Sequence, residues 1–365
     1  MLNYDKLVRP EVFRLSPYIP GKPADEVKRE LGLERVIKLA SNENPLGPSP
    51  KAIERVREMA TQAHIYPDAS AWALKKELAS RYGVSESQII LGNGSDEILI
   101  LLGQTFISPG DEAVMPAPSF PVYRTSVLLA GGTPVEVPLK DGFLDLPAMA
   151  EKINKKTKMV FICNPNNPTG AMVSRTEVED FMNKIPEGVL VVADEAYYEY
   201  VLDPDYGDLL PYLKRGFPVV VLHTFSKIYG LAGLRVGYGL VPEEVQAFFN
   251  RVRLSFNVNA IGQAAALAAL SDQEHVERSR RVNEEGKTYL QAEFRKMGLK
   301  VYRTWGNFIM VDTGRDCQVV FQKLLREGVI VRPTSAWGLM TCLRITIGSQ
   351  AENEILVSAL RNVLT

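Results

Sequence analysis

The sequence predicts an α/β fold: a mostly parallel central sheet covered by helices, with a smaller α+β domain and an N-terminal arm. Three observations carry this expectation. Between about residues 89 and 240, short apolar runs such as "MVFIC", "VLVVA" and "PVVVLH" are bounded by turn signals, as strands buried on both faces require. Amphipathic stretches of helical period lie among them and supply the crossovers that parallel strands need. Near residue 256 the rhythm changes to long helical segments, then to short strands alternating with helices. The 365 residues suffice for two domains. The expected division is an arm at 1–40 that packs with the small domain, a large domain at 41–255 and a small domain at 256–365.

The elements follow in order. The first forty residues mix prolines and glycines and read as an arm leading to a short strand at "VIKLA". "SPKAIERVREMATQA" is a helix with Ser49 as N-cap and Pro50 at its first position. "SAWALKKELASRYG" is a second helix, closed by Gly83. Then come strand "IIL", helix "SDEILILLGQTFI", strand "EAVM", helix "SFPVYRTSVLLAGG" and strand "TPVEV". Strand "MVFIC", helix "SRTEVEDFMNKI" and strands "VLVVA", "PVVVLH" and "RVGYGL" complete the large unit. After residue 256 the sequence predicts two consecutive helices, strands "KVYRT" and "NFIMVD", helix "CQVVFQKLLREG", strands "VIVRP" and "CLRITIG", and a last helix "AENEILVSALRNVL".

Composition narrows the classes of function. At 46% hydrophobic and 23% charged residues the chain is ordinary for a soluble globular protein. A net charge of −1 gives no field to gather nucleic acid or anionic membrane, so small molecules are the expected partners. The three cysteines form no CxxC pair, which argues against a disulfide framework or a metal site and fits a reducing compartment. The N-terminus lacks the apolar core of a signal peptide, and "AIGQAAALAAL" is too short to span a bilayer. The expectation is a cytoplasmic enzyme or binding protein.

The chemistry gathers at strand ends, where parallel sheets place their ligands. "GNGSDE" (92–97) puts two glycines at a strand-to-helix turn, a geometry that presents N–H groups to phosphate; it also makes plain turns, with Ser95 as an N-cap. Asp194 follows an apolar strand, so its carboxylate stands at the edge of the core and needs a cation or strong donors. A bound heterocyclic N–H⁺ meets that need. Tyr197 and Asn167, at neighbouring strand ends, offer a hydroxyl and an amide. Lys227 ends another apolar run; a dry site disfavours its charge and frees the amine as a nucleophile toward a carbonyl, although most such lysines reach to the surface. Arg235, with Ser226 and Thr224, then serves as a phosphate's counter-charge and donors, or else makes a surface ion pair. The cofactor that uses all these parts is pyridoxal 5′-phosphate: an aldehyde for the lysine, a ring nitrogen for the acid and a phosphate for the arginine.

"NPNNPTG", "DEAYYEY" and "SKIYGLAGLRVG", in this order and spacing, resemble the fold-type I pyridoxal-phosphate aminotransferases of classes I and II. "SPYIPGKP", "KLASNENPLGPSP", "IYPD" and "LRITIG" are similar to the histidinol-phosphate aminotransferases within that family, and the likeness runs from about residue 9 to the C-terminus. The resemblance implies Lys227 as the Schiff-base lysine and proton carrier, Asp194 on the pyridine nitrogen, and Tyr197 and Asn167 on the ring oxygen. It implies Phe120 stacked on the ring, where many relatives carry Tyr, and Gly94, Ser95, Asp96, Thr224, Ser226 and Arg235 around the phosphate. Tyr66 is implied to reach the cofactor of a second subunit, which makes a homodimer part of the site. Tyr18, Asn42, Tyr66, Arg332 and Arg344 are the implied substrate contacts. The activity implied is transfer of the amino group of L-histidinol phosphate to 2-oxoglutarate. An aromatic or broad-specificity aminotransferase and a threonine-phosphate decarboxylase share the scaffold and remain alternatives. Asn257, in "FNVN", carries no assigned role.

Overall fold

The computed structural model describes residues 4–17 and 21–365. In chain order its strands are Ile37–Lys38 (β1), Ile89–Gly92 (β2), Glu112–Ala117 (β3), Thr133–Pro138 (β4), Thr157–Cys163 (β5), Leu190–Asp194 (β6), Val219–Thr224 (β7) and Gly237–Leu240 (β8). Lys300–Val301 (β9), Phe308–Asp312 (β10), Val329–Ile330 (β11), Arg332–Pro333 (β12) and Cys342–Thr346 (β13) follow. The central sheet has the order β2-β8-β7-β6-β5-β3-β4. The strands from β7 to β4 pair in parallel, whereas β8 runs antiparallel to both β7 and β2.

Period-two alternation explains why these runs are apolar throughout. On β6, Val191 and Ala193 face one core with Phe181, Phe225 and Tyr238, while Leu190 and Val192 face another with Leu99, Tyr123 and Phe161. Neither face meets water, and each fully buried valine or leucine contributes about 1.5–3 kcal/mol.

Local signals set the helix ends. Ser49 Oγ accepts from the Ala52 N–H and starts Pro50–Ala60; Gly83, left-handed at φ 61°, stops Trp72–Tyr82. The long helical stretch divides into Ala260–Leu270 and Gln273–Lys296, with Asp272 capping the second through the His275 N–H.

The small unit is built on an antiparallel sheet of order β12-β13-β10-β9. Leu290, Phe294, Ile309, Val320, Leu343, Ile345, Leu356 and Leu360 form its core. β1 pairs in parallel with β11, Ile37 opposite Val329, so the end of the N-terminal segment joins this unit.

Four helices were not expected from the sequence. Ala24–Leu31 lies within the arm, and Leu146–Glu151, Leu210–Lys214 and Glu243–Val252 lie in the large unit. Two of these carry proline in their first turn, where it reads as a turn signal but is tolerated because its missing N–H has no helical partner. "VIVRP" is two strands: Val331 separates β11, paired with β1, from β12, paired with β13. "RVGYGL" forms a strand only from Gly237, because Arg235 is left-handed at φ 55°. Among the described residues, no helix is long and apolar enough to cross a membrane, and no group of three or more His, Cys, Asp or Glu is placed to hold a metal.

Candidate active site

β5, β6 and β7 lie side by side and parallel, so their carboxyl ends meet at one sheet edge. Cys163 is opposite Asp194, and Asp194 is opposite Leu222. The antiparallel β8 begins at that same edge: Gly237 is opposite both Thr224 and Gly92. The segments after β2, β5, β6 and β7, and the residue before β8, are thereby gathered together. A cavity of about 280 Å³ opens among them, lined by Asn42, Ser95, Asp96, Phe120, Asn167, Asp194, Tyr197, Thr224, Ser226, Lys227, Arg235, Arg332 and Arg344.

Lys227 Nζ donates to the Ser41 carbonyl at 3.3 Å and lies 5.6 Å over the Tyr197 ring. Burial first, and the charge of Arg344 second, lower its pKa from 10.5 to about 8. A substantial fraction of this amine is therefore neutral and nucleophilic near physiological pH. Asp194 is buried, and burial pushes its pKa up to about 6 against hydrogen bonds that lower it. Its Oδ2 accepts from the Tyr123 hydroxyl at 2.8 Å and its Oδ1 from the Ala196 N–H at 3.2 Å. A cation brought against this carboxylate would restore its charge.

The opposite end of the cavity is a cradle for an anion. The helix Ser95–Phe106 begins with Gly94 at its N-cap and no side-chain cap, so Ser95 is the first helical residue and not the cap. Its early N–H groups carry the positive end of the helix dipole. Gly94 is at φ 80°, and a Cβ there would stand 2.4 Å from Arg235 Nη2. A Cβ on Gly237 would stand 2.3 Å from the Ser95 nitrogen. Arg235 Nη1 donates to Ser226 Oγ at 3.3 Å and to the Ala232 carbonyl at 3.1 Å; its Nη2 lies 3.5 Å from Asp96 Oδ2. Asp96, an acid, thus contacts the arginine rather than offering a donor to an anion. Thr224 Oγ1 accepts from the Ser226 N–H at 3.1 Å and fixes the turn.

Arg344, on β13, is buried; it donates to the Ala40 carbonyl at 2.6 Å and to Asn167 Oδ1 at 2.7 Å. Asn167 spends its carbonyl oxygen on that arginine, so what it offers a ligand is its NH₂. Asn42 Nδ2 donates to the Tyr197 hydroxyl at 2.9 Å. Asn42 is itself left-handed at φ 56° and is held by Thr346 and Asn307. Phe120 precedes the helix Pro121–Leu129 and meets Tyr123 edge-on at 5.7 Å.

Among the described residues expected at the site, Tyr66 does not line the cavity in the single chain. Tyr66 stacks on Phe256 at 4.8 Å and is 79% exposed, away from the cavity. Tyr18 lies outside the described residues. Asn257 holds the helix start: its Nδ2 donates to Glu97 Oε2 at 2.7 Å and to the Leu91 carbonyl at 3.1 Å. Sequence reasoning missed Tyr123, although its position one helical turn beyond Phe120 was a usable signal. It also missed the Ser41 carbonyl, which no side-chain motif marks.

A family model for aminotransferase class I and II matches residues 34–360. A histidinol-phosphate aminotransferase of Moorella thermoacetica is 49% identical over 98% of this chain and 92% of its own length. One of Caldicellulosiruptor saccharolyticus is 47% identical over 97% and 99%. Among solved structures, histidinol-phosphate aminotransferase from Sinorhizobium meliloti in complex with pyridoxal-5′-phosphate superposes with a TM-score of 0.90 at 29% identity, covering 98% of this chain and 97% of that one. Aspartate aminotransferase from Thermus thermophilus with maleate shares the fold, with a TM-score of 0.83 at 24% identity over 98% and 97%.

Proposed function

The chain belongs to the class I and II aminotransferases, and we propose that it moves the amino group of L-histidinol phosphate to 2-oxoglutarate in histidine biosynthesis, using pyridoxal 5′-phosphate. The products are imidazole acetol phosphate and L-glutamate. The observation that carries the reading is a single buried amine, Lys227 Nζ, in a cavity with an acid at one end and an arginine beside a helix N-terminus at the other.

The residues fit the cofactor. The close approach of Gly94 and Gly237 to Arg235 and Ser95 leaves a cradle that a Cβ would fill. Ser95, Ser226 and Arg235 supply donors for a phosphate there, while Asp96 and Thr224 hold those donors in place. With the cofactor bound, Asp194 would hold a proton at the ring nitrogen, Tyr197 and Asn167 would bond the ring oxygen, and Phe120 would flank the ring. When bound, the cofactor supplies an aldehyde for the lysine and a ring that draws electrons from the substrate's amino-bearing carbon.

Lys227 does the proton work. Its neutral Nζ would accept a proton from the substrate's amino-bearing carbon, and the ammonium so formed would serve as the acid that returns it. Ser41 and Tyr197 hold the amine within the cavity. Asp194 stays ionised while a cationic N–H faces it, and Tyr123 steadies that charge.

Arg344 and Arg332 receive the anionic end of either substrate, a phosphate or a carboxylate. Asn42 and Tyr18 contact the substrate from the N-terminal segment. The enzyme is a cytoplasmic homodimer in which Tyr66 of one subunit reaches the other's site; the exposure of Tyr66 supports this. Comparing kcat/KM for L-histidinol phosphate and L-phenylalanine tests the substrate. A preference for phenylalanine would sink it, and release of carbon dioxide without need of 2-oxoglutarate would sink the transamination.

A further inference from the structure

Arg332 and Arg344 are direct cross-strand partners on β12 and β13. Opposed residues of an antiparallel pair share one face of the sheet, where like charges repel. Trp337 meets both cations. Its ring lies 5.7 Å from the Arg332 guanidinium carbon and 5.6 Å from that of Arg344. Both are cation–π separations, and Arg344 also lies 5.5 Å over the Phe308 ring.

The loop that carries Trp337 is firmly built. The Trp337 N–H donates to the Thr334 carbonyl at 2.9 Å, and Gly338 turns the chain at φ 77°. Thr334 Oγ1 lies 2.7 Å from the carbonyl oxygens of both Leu339 and Cys342. The indole edge reaches across to the large unit: Nε1 donates to the Ser119 carbonyl at 2.8 Å. Ser119 Oγ donates to Asn166 Oδ1 at 2.7 Å, and the next residue, Asn167, accepts from Arg344. The contacts form a closed circuit from indole to arginine and back, passing beside Phe120.

We propose that Trp337 is a specificity-determining positioning residue: its ring orients Arg332 and Arg344 together so that the cavity favours amino donors carrying a dianionic phosphate over phosphate-free ones. The proposal rests on reading the two arginines as the substrate-anion pair. One guanidinium satisfies a carboxylate; a phosphate dianion has more acceptor oxygens and charge and rewards two fixed forks. Loss of the ring removes one restraint from each guanidinium, and any orientational freedom so gained must be lost again on binding.

The test uses the holoenzyme with L-histidinol phosphate and L-histidinol as donors. Trp337→Leu is expected to raise KM for histidinol phosphate on the order of tenfold with kcat unchanged, and to lower the preference for the phosphorylated donor by the same factor. Trp337→Phe keeps a ring face and is expected to restore most of that preference. An unchanged preference in Trp337→Leu overturns the proposal, as does a Phe variant no better than Leu. Should the Leu variant not fold, Trp337→Met, also ringless, is read in the same way. If the wild type itself shows no preference for the phosphorylated donor, the substrate reading fails before any variant is compared. The proposal, which needs that preference, then falls with it, whereas a wild-type preference left unchanged in the Leu variant ends the positioning role alone.

Discussion

The Tyr123 hydroxyl donates a 2.8 Å hydrogen bond to Oδ2 of Asp194. A residue on a helix, distant in sequence, therefore controls the charge of the acid at the end of β6. Burial alone drives that carboxyl toward its neutral form, and the phenol is the largest influence acting the other way. In Tyr123→Phe the acid limb of the kcat profile should move to higher pH by about one unit, with kcat down on the order of tenfold. A pH–rate profile identical to wild type would remove Tyr123 from the site.

Asp194 should cost stability when no ligand faces it. Its pKa is raised from 3.8 to about 6 in the folded apoprotein, mainly by burial. A carboxyl so raised binds its proton more tightly folded than unfolded. Its contribution is fully present below the unfolded value and is lost as pH climbs through about 6. At neutral pH the loss is on the order of 3 kcal/mol. Asp194→Asn apoprotein is expected to melt above wild type at neutral pH, with the gap closing near pH 4, while transamination falls roughly a thousandfold. Calorimetry across pH checks this; equal melting temperatures at neutral pH would refute it.

Only the neutral form of Lys227 attacks an aldehyde. With its pKa lowered to about 8, apoenzyme mixed with pyridoxal phosphate should develop its visible absorption faster as pH rises, levelling above about 8. Lys227→Ala should fold and transfer no amino group. A reconstitution rate that is flat with pH, or turnover in the alanine variant, contradicts the assignment.

Gly94→Ala should weaken cofactor retention. The substitution forces a Cβ into a left-handed backbone and against Arg235, 2.4 Å from its Nη2. Equilibrium dialysis is expected to show a rise in cofactor Kd of at least tenfold, on the order of one lost charge-assisted hydrogen bond. Retention equal to wild type would place the phosphate elsewhere.

The proposed homodimer is open to a mixing experiment. Light scattering should give twice the 40.6 kDa of the chain. Tyr66→Ala is expected to be impaired, and Lys227→Ala inactive. Refolded together, they should regain activity, because a mixed dimer has one site with both residues intact. Failure of the mixture to exceed the Tyr66→Ala parent would mean that Tyr66 does not act across subunits.

The chemistry of this site was legible in sequence because it is local. Asp194, Lys227 and Asn167 each follow an apolar run whose length and period mark a strand, and residue type did the rest. The stop and start signals of helices such as Pro50–Ala60 are equally local, since a cap bonds within its own turn. Short helices with proline in the first turn were lost for the same reason, because there the local signal points both ways.

Long-range pairing decided the remainder. β8 inserts antiparallel between β7 and β2, and only that neighbourhood brings Arg235 against Gly94 and Gly237 against Ser95. The register of β12 on β13 sets two arginines side by side. Tyr123 reaches Asp194 because two elements far apart in the chain share one core. The sequence by itself determined which residues could do chemistry, since side-chain type and hydrophobic period are properties of a short window. Which of them meet was left to the tertiary structure, because strand neighbours and register depend on how distant apolar faces are buried together.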